Sequence, residues 1–404
     1  MEHKRLVITG IGVVAPNGIG KEQFWTNCAA GVSGIKPISL FDTSPYRCHW
    51  AGEISNFQPE TYLGSKGLRN LDRTTLLALV AAKLAIDDAK LEITDANRCD
   101  IGVVLGSTMG SVHSISEFDK EGLREGPRYV NPAHFPNTVI NSPASQVAIR
   151  FGLKGLNATI STGFAASLDA VGYAMDMLHL GRAEALLVGG VEELCIQTFL
   201  GFYKLGLLAT SRNGHMPAFL PFDSQHSGTM LGEGAGFFVL ETLEEATARG
   251  ATIYAELLGY AASFDPASMY RYHPEAQGVV EAIRLALTDA GLTSADIDLI
   301  GPCANSFKDC DVMEQNALTA VFGDQMRDRM LPPTKGILGE SFSAGGAFQL
   351  SAGIGVLANQ AVVVEKMSGR KSSTPPGNAK GERLLVDGFG PTGAASALVI
   401  EGVR

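Results

Sequence analysis

The residues best placed to do chemistry in this sequence surround a position where a reactive group is missing. From Leu156 to Gly190 the chain reads LNATISTGFAASLDAVGYAMDMLHLGRAEALLVGG. Ala158–Ser161 reads as a short buried strand, and Ser161-Thr162-Gly163 turns the chain sharply. Beyond Phe164, the spacing of Leu168, Val171, Met175 and Leu178, with alanines between them, predicts a helix packed tightly by its neighbours. Gly181 closes that helix, and Ala185–Val191 is the next buried strand. A strand, a tight turn and a helix N-terminus is where an enzyme mounts a nucleophile. The turn exposes the side chain, and the free N–H groups of the first helical turn stabilise negative charge. The apex here is Phe164, which has no lone pair, no transferable proton and no thiol.

Other reactive types are scattered. The six cysteines, Cys28, Cys48, Cys99, Cys195, Cys303 and Cys310, form no C-x-x-C pair, and no histidines stand at zinc-like spacing from Cys303 and Cys310. Reduced thiols are expected, with no metal and no cofactor. Gly10 and Gly12 follow the strand Leu6–Thr9 as a glycine-rich turn, but a third glycine and a ribose-binding acid are not at the required spacing. A nucleotide site is therefore not expected there.

The segment Ser161-Thr162-Gly163-Phe164-Ala165-Ala166-Ser167-Leu168-Asp169-Ala170-Val171-Gly172 resembles the active-site elbow of β-ketoacyl-acyl-carrier-protein synthases. It is most similar to the ketosynthases of iterative type II polyketide systems, whose pattern reads STGCTSGLDAVG. Phe164 stands where that pattern has its cysteine. The resemblance also implies two histidines. A pattern like HGTGTxxxDxxE, anchored on Asp311 and Glu314, puts Cys303 at the first. A pattern like TKxxxGHxxxAxG over Thr334–Gly345 puts Glu340 at the second and keeps Lys335. Pro221-Phe222-Asp223 and Leu231–Gly236 match the family's PFD…GEGA block, with His226 and Thr229 replacing its arginine and its aromatic residue. A C-terminal GFGGT loop supplies an oxyanion N–H in the family. Counting back from Ser396–Glu401 places Pro391, which lacks an N–H, at the donor position; anchoring on Gly388-Phe389-Gly390 keeps a donor but needs a two-residue gap. The first register is preferred.

The fold this implies is α/β, a thiolase-like duplicated α-β-α-β-α stack. Ala82–Leu91 with the strand Asp100–Gly106 is similar to Ile283–Leu292 with the strand Ile297–Gly301, as a duplicated unit would be. The expected halves are 1–255, carrying dimer and cap insertions, and 256–404. The function implied is that of a non-condensing subunit similar to chain length factors. Those form a heterodimer with a catalytic ketosynthase and, with an acyl carrier protein, shape the tunnel for a polyketide or acyl chain. Phe135, Asn137, Phe164, Cys195, Ile196 and Phe202 are the expected tunnel lining, while Asp311, Glu314 and Lys335 are retained scaffold. Chain length factors commonly carry glutamine where Phe164 stands. Two other readings stay open: acyl transfer or thioester hydrolysis at Cys303 with Glu340 as base, and a homodimer that binds an acyl carrier without reaction.

The elements that must position these residues need a large core. The chain has 404 residues, 45% of them hydrophobic and 18% charged, with 47 glycines, which suits a globular α/β protein. A net charge of −10 argues against nucleic acid or an anionic membrane as partner. No apolar run reaches the length of a membrane span, and Met1–Arg5 leads straight into the first strand, so a cytoplasmic protein is expected. Helices are predicted over Gly20–Ala30, Asp72–Ala89, Ser116–Gly122, Ser142–Phe151, Leu200–Leu208 and Leu243–Arg249, and strands over Phe237–Glu241 and Tyr254–Gly259.

Overall fold

Gly10 and Gly12 do not turn the chain. They lie inside a ten-residue strand, β1 (Leu6–Ala15). A Cβ on Gly10 would stand 2.3 Å from the carbonyl oxygen of Ala85, and one on Gly12 2.0 Å from that of Ala81. The glycines let a helix press directly on the strand, a use of glycine that mimics a turn signal in the sequence. The computed structural model describes residues 4–211, 216–217, 219–223, 227–266, 271–323, 326–331, 334–358 and 382–403; His226 lies outside the described residues.

After β1 come β2 (Gly18–Ile19), α1 (Lys21–Ala29), a small hairpin of β3 (Ile35–Pro37) and β4 (Trp50–Gly52), and the single turn α2 (Glu60–Leu63). The helix on β1 is α3 (Arg73–Ala89), capped by Asp72, which accepts the Thr75 N–H at 2.8 Å. Next are β5 (Ile101–Gly106), α4 (Val112–Glu125), a 3-10 segment Pro132–Thr138, α5 (Ser142–Phe151), β6 (Asn157–Ile160), α6 (Ala166–His179), β7 (Ala185–Glu192), α7 (Ile196–Lys204), β8 (Gly234–Thr242) and α8 (Leu243–Ala248). The remainder is β9 (Ala255–Phe264), α9 (Gln277–Asp289), β10 (Leu299–Gly301), α10 (Lys308–Phe322), α11 (Met326–Arg329), α12 (Lys335–Leu338), α13 (Ser343–Leu357), β11 (Arg383–Phe389) and β12 (Ala394–Gly402). Among the described residues no helix is long and apolar enough to cross a membrane.

Two helices start earlier than the sequence suggests: α4 begins at Val112, not Ser116, and α7 at Ile196, not Leu200. Neither has a side-chain cap bond at its start: Ser111 precedes α4 without capping it, and Cys195 precedes α7.

One sheet runs in the order β10-β11-β12-β9-β1-β8-β7-β5-β6, with β2 added to β1. On one side of the centre, β1 pairs antiparallel with β8, β8 antiparallel with β7, and β7 and β6 lie parallel to β5. On the other side, β9 pairs antiparallel with β12, β12 antiparallel with β11, and β11 parallel with β10, beyond which Met330 bridges in parallel to Ile300. The two sides repeat one topology. They join where Leu6, Val7 and Ile8 face Leu257, Glu256 and Ala255.

Helices α6 and α13 touch each other and strands of both sides, so they form the central layer. Helix α13 is buried without a break from Ser343 to Ser351, as expected for a helix with no polar face. α3 and α5 cover the outer face of the first side, and α9 and α10 that of the second. This is the α-β-α-β-α stack that the sequence resemblance implied.

Candidate functional site

Strand β6 ends at Ile160, and the turn that follows holds Gly163 at φ 86°, the left-handed region that glycine enters without strain. A 3-10 turn, Gly163–Ala165, then feeds α6. Phe164 at this apex is 8% exposed. Its ring meets Phe342 edge-on, with centroids 5.0 Å apart, and Phe342 meets Phe202 at 5.2 Å. Leu194, Phe199, Leu208 and Leu231 complete this apolar cluster. Phe342 is held at φ 48°, ψ −118°, a costly conformation for a residue with a Cβ. Its N–H donates to Glu340 Oε1 at 2.8 Å, which helps fix the turn.

The end of β11 closes over the elbow. A Cβ on Gly390 would stand 3.1 Å from Phe164 Cγ, and one on Gly388 3.4 Å from the Ala165 Cα. The triplet Gly388-Phe389-Gly390 therefore meets the elbow, and Pro391 lies one residue further into the turn. These contacts favour the register anchored on the triplet over the one that put Pro391 at the donor position.

Behind Phe164 lies a closed polar cluster. Lys335 Nζ donates to Glu340 Oε2 at 2.8 Å and to Cys303 Sγ at 3.2 Å, and sits 5.9 Å from the centre of the Phe164 ring. Asn305 Nδ2 donates to the same Glu340 oxygen at 2.7 Å. Cys303 is 2% exposed, and its N–H donates to Glu314 Oε1 at 2.5 Å. Burial pushes the Cys303 thiol up to about 12, with the Lys335 ammonium pulling only partly the other way. Burial also works against the charge on Lys335, but Cys303 and Glu340 outweigh it and raise its pKa. Glu314 is raised well above the usual carboxylate range by burial and by the charge of neighbouring Asp387; burial lifts Asp387 to about 6. Asp311 accepts the N–H groups of Asn305 at 3.0 Å, Ser306 at 3.1 Å and Phe222 at 2.8 Å, so it braces the loop carrying Cys303.

The chemistry open to this arrangement is narrow. A thiol acts as a nucleophile through its thiolate, which needs a depressed pKa and access. Cys303 has neither, Phe164 has no nucleophilic atom, and Glu340 is occupied by three donors. The structure thus brings Phe164, Cys303, Glu340, Lys335, Glu314 and Asp311 into one region.

The expected tunnel lining is brought together only in part. Ile196 and Phe202 join the Phe164 cluster, and Cys195 is the buried residue just before α7, with Sγ 3.3 Å from Thr198 Oγ1. Phe135 is 57% exposed and packs on Phe118 at 6.2 Å, while Asn137 donates from Nδ2 to the Asn70 carbonyl at 2.7 Å. Both belong to the α4 side of the molecule. Phe164, by contrast, lies in the cluster with Phe342 and Phe202.

Sequence reasoning missed Asn305, Phe342 and Asp387. Asp387 had a visible signal: it is an acid inside the apolar run Leu384-Leu385-Val386, on a strand buried from Leu384 onward. It missed Glu192 as well. Glu192 accepts the N–H groups of Thr108 at 2.9 Å and Met109 at 3.0 Å and the Ser343 hydroxyl at 2.7 Å. Burial lifts its carboxyl to about 7.

Residues 3–246 match the family model of the β-ketoacyl synthase N-terminal domain, and residues 254–366 that of the C-terminal domain. A 3-oxoacyl-[acyl-carrier-protein] synthase 2 of Staphylococcus aureus (strain N315) is 34% identical over 348 residues, which is 86% of this chain and 84% of that protein. Among solved structures, the ishigamide ketosynthase/chain length factor superposes with a TM-score of 0.86 and 29% identity, covering 100% of both chains. A type II polyketide synthase acyl-carrier protein in complex with its ketosynthase, bound to the hexaketide, matches with a TM-score of 0.86 and 26% identity, again over 100% of both chains. The duplicated sheet, the central helix pair and these matches agree, and the chain belongs to the β-ketoacyl synthase family.

Proposed function

We propose that this chain is a non-condensing ketosynthase-like subunit of the chain length factor kind. It pairs with a catalytic ketosynthase, meets an acyl carrier protein and shapes the channel for a polyketide or acyl chain. Its functional halves divide near residues 255 and 256. The observation that carries the reading is Phe164: a buried phenyl ring occupies the apex of a nucleophile elbow whose turn, helix and supporting strands are intact. Among the described residues behind it, Lys335 and Glu340 are paired with each other and the Cys303 thiol is buried. The likeness to an ishigamide ketosynthase/chain length factor structure supports the pairing part of the reading. The sheet also leaves β6, with partly exposed residues, at its edge, where a partner strand could add.

Relocated acyl transfer at Cys303 is the weaker reading, since its thiol is buried and held protonated. A homodimer that only binds an acyl carrier differs from the favoured reading in what it purifies with. The test is co-expression with a catalytic ketosynthase of the same organism, sought first among the neighbouring reading frames. A stable complex of the two, in which only the companion elongates malonyl thioesters on the carrier, is expected. A homodimer that ignores the companion, or elongation by this chain alone, would overturn the reading.

A further inference from the structure

We propose that Glu340 is a positioning residue: its carboxylate and an anchored Ser343 together latch Phe342 in a strained backbone that keeps its ring against the elbow, and cutting either anchor lets the ring withdraw. The latch belongs to this chain alone, so it stands or falls independently of the subunit reading above.

The strain is confined to one residue. Phe342 has φ 48° and ψ −118°, where its Cβ crowds its own backbone. A residue stays in such a conformation only where its surroundings fix it from more than one direction. Here both flanks are pinned. Before it, the Glu340 N–H donates to the Met230 carbonyl at 2.7 Å, and the Glu340 carbonyl accepts the Gly232 N–H at 2.8 Å. After it, the Ser343 N–H donates to Thr108 Oγ1 at 3.1 Å, and the Ser343 hydroxyl lies 2.7 Å from Glu192 Oε2. Only Ser341 and Phe342 span the gap between these two anchors.

The Glu340 side chain selects the conformation within that span. Its Oε1 accepts the Phe342 N–H at 2.8 Å, while Oε2 is held by Lys335 and Asn305. Glu340 and Phe342 are 0% and 1% exposed, so an amide that lost this acceptor would be left buried and unpaired. An extended or helical φ would redirect the Cα–Cβ bond and take the ring off Phe164 and Phe202. Those aromatic contacts offset the strain, and the strain in turn makes the contacts depend on the anchors.

The second anchor also reaches the other side of the ring contact. Thr108 Oγ1, which accepts from Ser343, donates to the Gly163 carbonyl at 2.9 Å, next to Phe164. One network therefore positions both the apex of the elbow and the ring that faces it. Where the family pattern has a histidine, this chain has an acid whose bonds hold a loop in place.

Two measurements test the latch. The first compares Phe342→Gly with Phe342→Ala by urea unfolding; both lose the ring, so the difference reads the backbone alone. In an ordinary conformation alanine is the more stable of the two. Here glycine is expected to win, with an unfolding constant roughly fivefold lower, and the advantage should disappear when Ser343→Ala is added. Alanine equal to or better than glycine, or a glycine advantage that Ser343→Ala leaves intact, would overturn the proposal.

The second keeps the ring and serves if those variants do not fold. The chain is labelled with para-fluorophenylalanine, and the Phe342 fluorine signal is assigned by its loss in Phe342→Leu. Glu340→Leu with Lys335→Met removes the acceptor without stranding the ammonium, and should shift or split that signal, as should Ser343→Ala. Glu340→Gln with Lys335→Met leaves an amide oxygen for the Phe342 N–H and should return the signal to its parental place. A parental signal in the Leu pair or in Ser343→Ala, or a Gln pair that behaves like the Leu pair, would show that Glu340 does not position the ring.

Discussion

Lys335 and Glu340 face each other across 2.8 Å with neither side chain reaching solvent. The pair stands beside the elbow where the family resemblance places catalytic groups, and it spends both charges internally. Breaking one member leaves the other charged in a dry setting. Glu340→Ala is therefore expected to destabilise the fold by about 3–5 kcal/mol. Adding Lys335→Met should restore a large part of that loss, because the stranded ammonium goes with it. A urea-unfolding double-mutant cycle measures the coupling, and strictly additive losses would show that the two side chains act independently.

Phe164 is packed, not pointed into a void. Its ring lies on Phe342 and under Gly390. Phe164→Ala should cost about 3–5 kcal/mol by chemical denaturation, the range for deleting a core phenyl ring. A loss near zero would mean that the ring borders open space.

Restoring the thiol should not restore the reaction. Phe164→Cys leaves Cys303 and Glu340 where the family pattern has two histidines, with Lys335 still tied to both. The purified variant, without a companion, is expected to show no elongation of malonyl units on an acyl carrier protein. Radiolabelled product from that single variant would mean that the remaining groups suffice.

Stability should fall as pH rises through neutrality. Burial lifts Glu192 and Glu193 to about 7 and Asp387 to about 6. Unfolded carboxyls titrate at roughly 4. Between those values the folded chain holds protons that the unfolded chain releases, so each rise in pH favours unfolding. The contribution of these three groups is largest below their unfolded values and is lost progressively up to pH 7. Melting temperatures measured from pH 5.5 to 8 should decline, and Glu192→Gln should flatten the slope. A Glu192→Gln profile parallel to that of the parent would mean that this carboxyl does not take part.

The layered fold was legible because its signals are local and repeated. Apolar runs such as Ile101–Gly106 and Ala185–Val191 admit only buried strands, and the similarity of 82–91 to 283–292 showed the duplication before any contact was known. The empty place at Phe164 was legible for the same reason, since the turn and the helix around it are spelled out in consecutive residues. What stayed hidden depends on distant segments meeting. Gly10 and Gly12 looked like a turn because nothing nearby announces the helix that presses on them through Ala81 and Ala85. Asp387 and Glu314 share their burial only once β11 lies beside the loop from β10. Which partners Phe135 and Asn137 take was equally hidden: Phe135 packs on Phe118 and Asn137 binds the Asn70 carbonyl, neighbours far off in the sequence.

Strand β6 ends the sheet opposite β10, and among the described residues it pairs only with β5. A lone strand margin of this kind is adhesive towards any extended peptide. Cells that make this chain with that margin left uncovered would accumulate insoluble material, so its soluble yield becomes a readout of whether β6 is sealed.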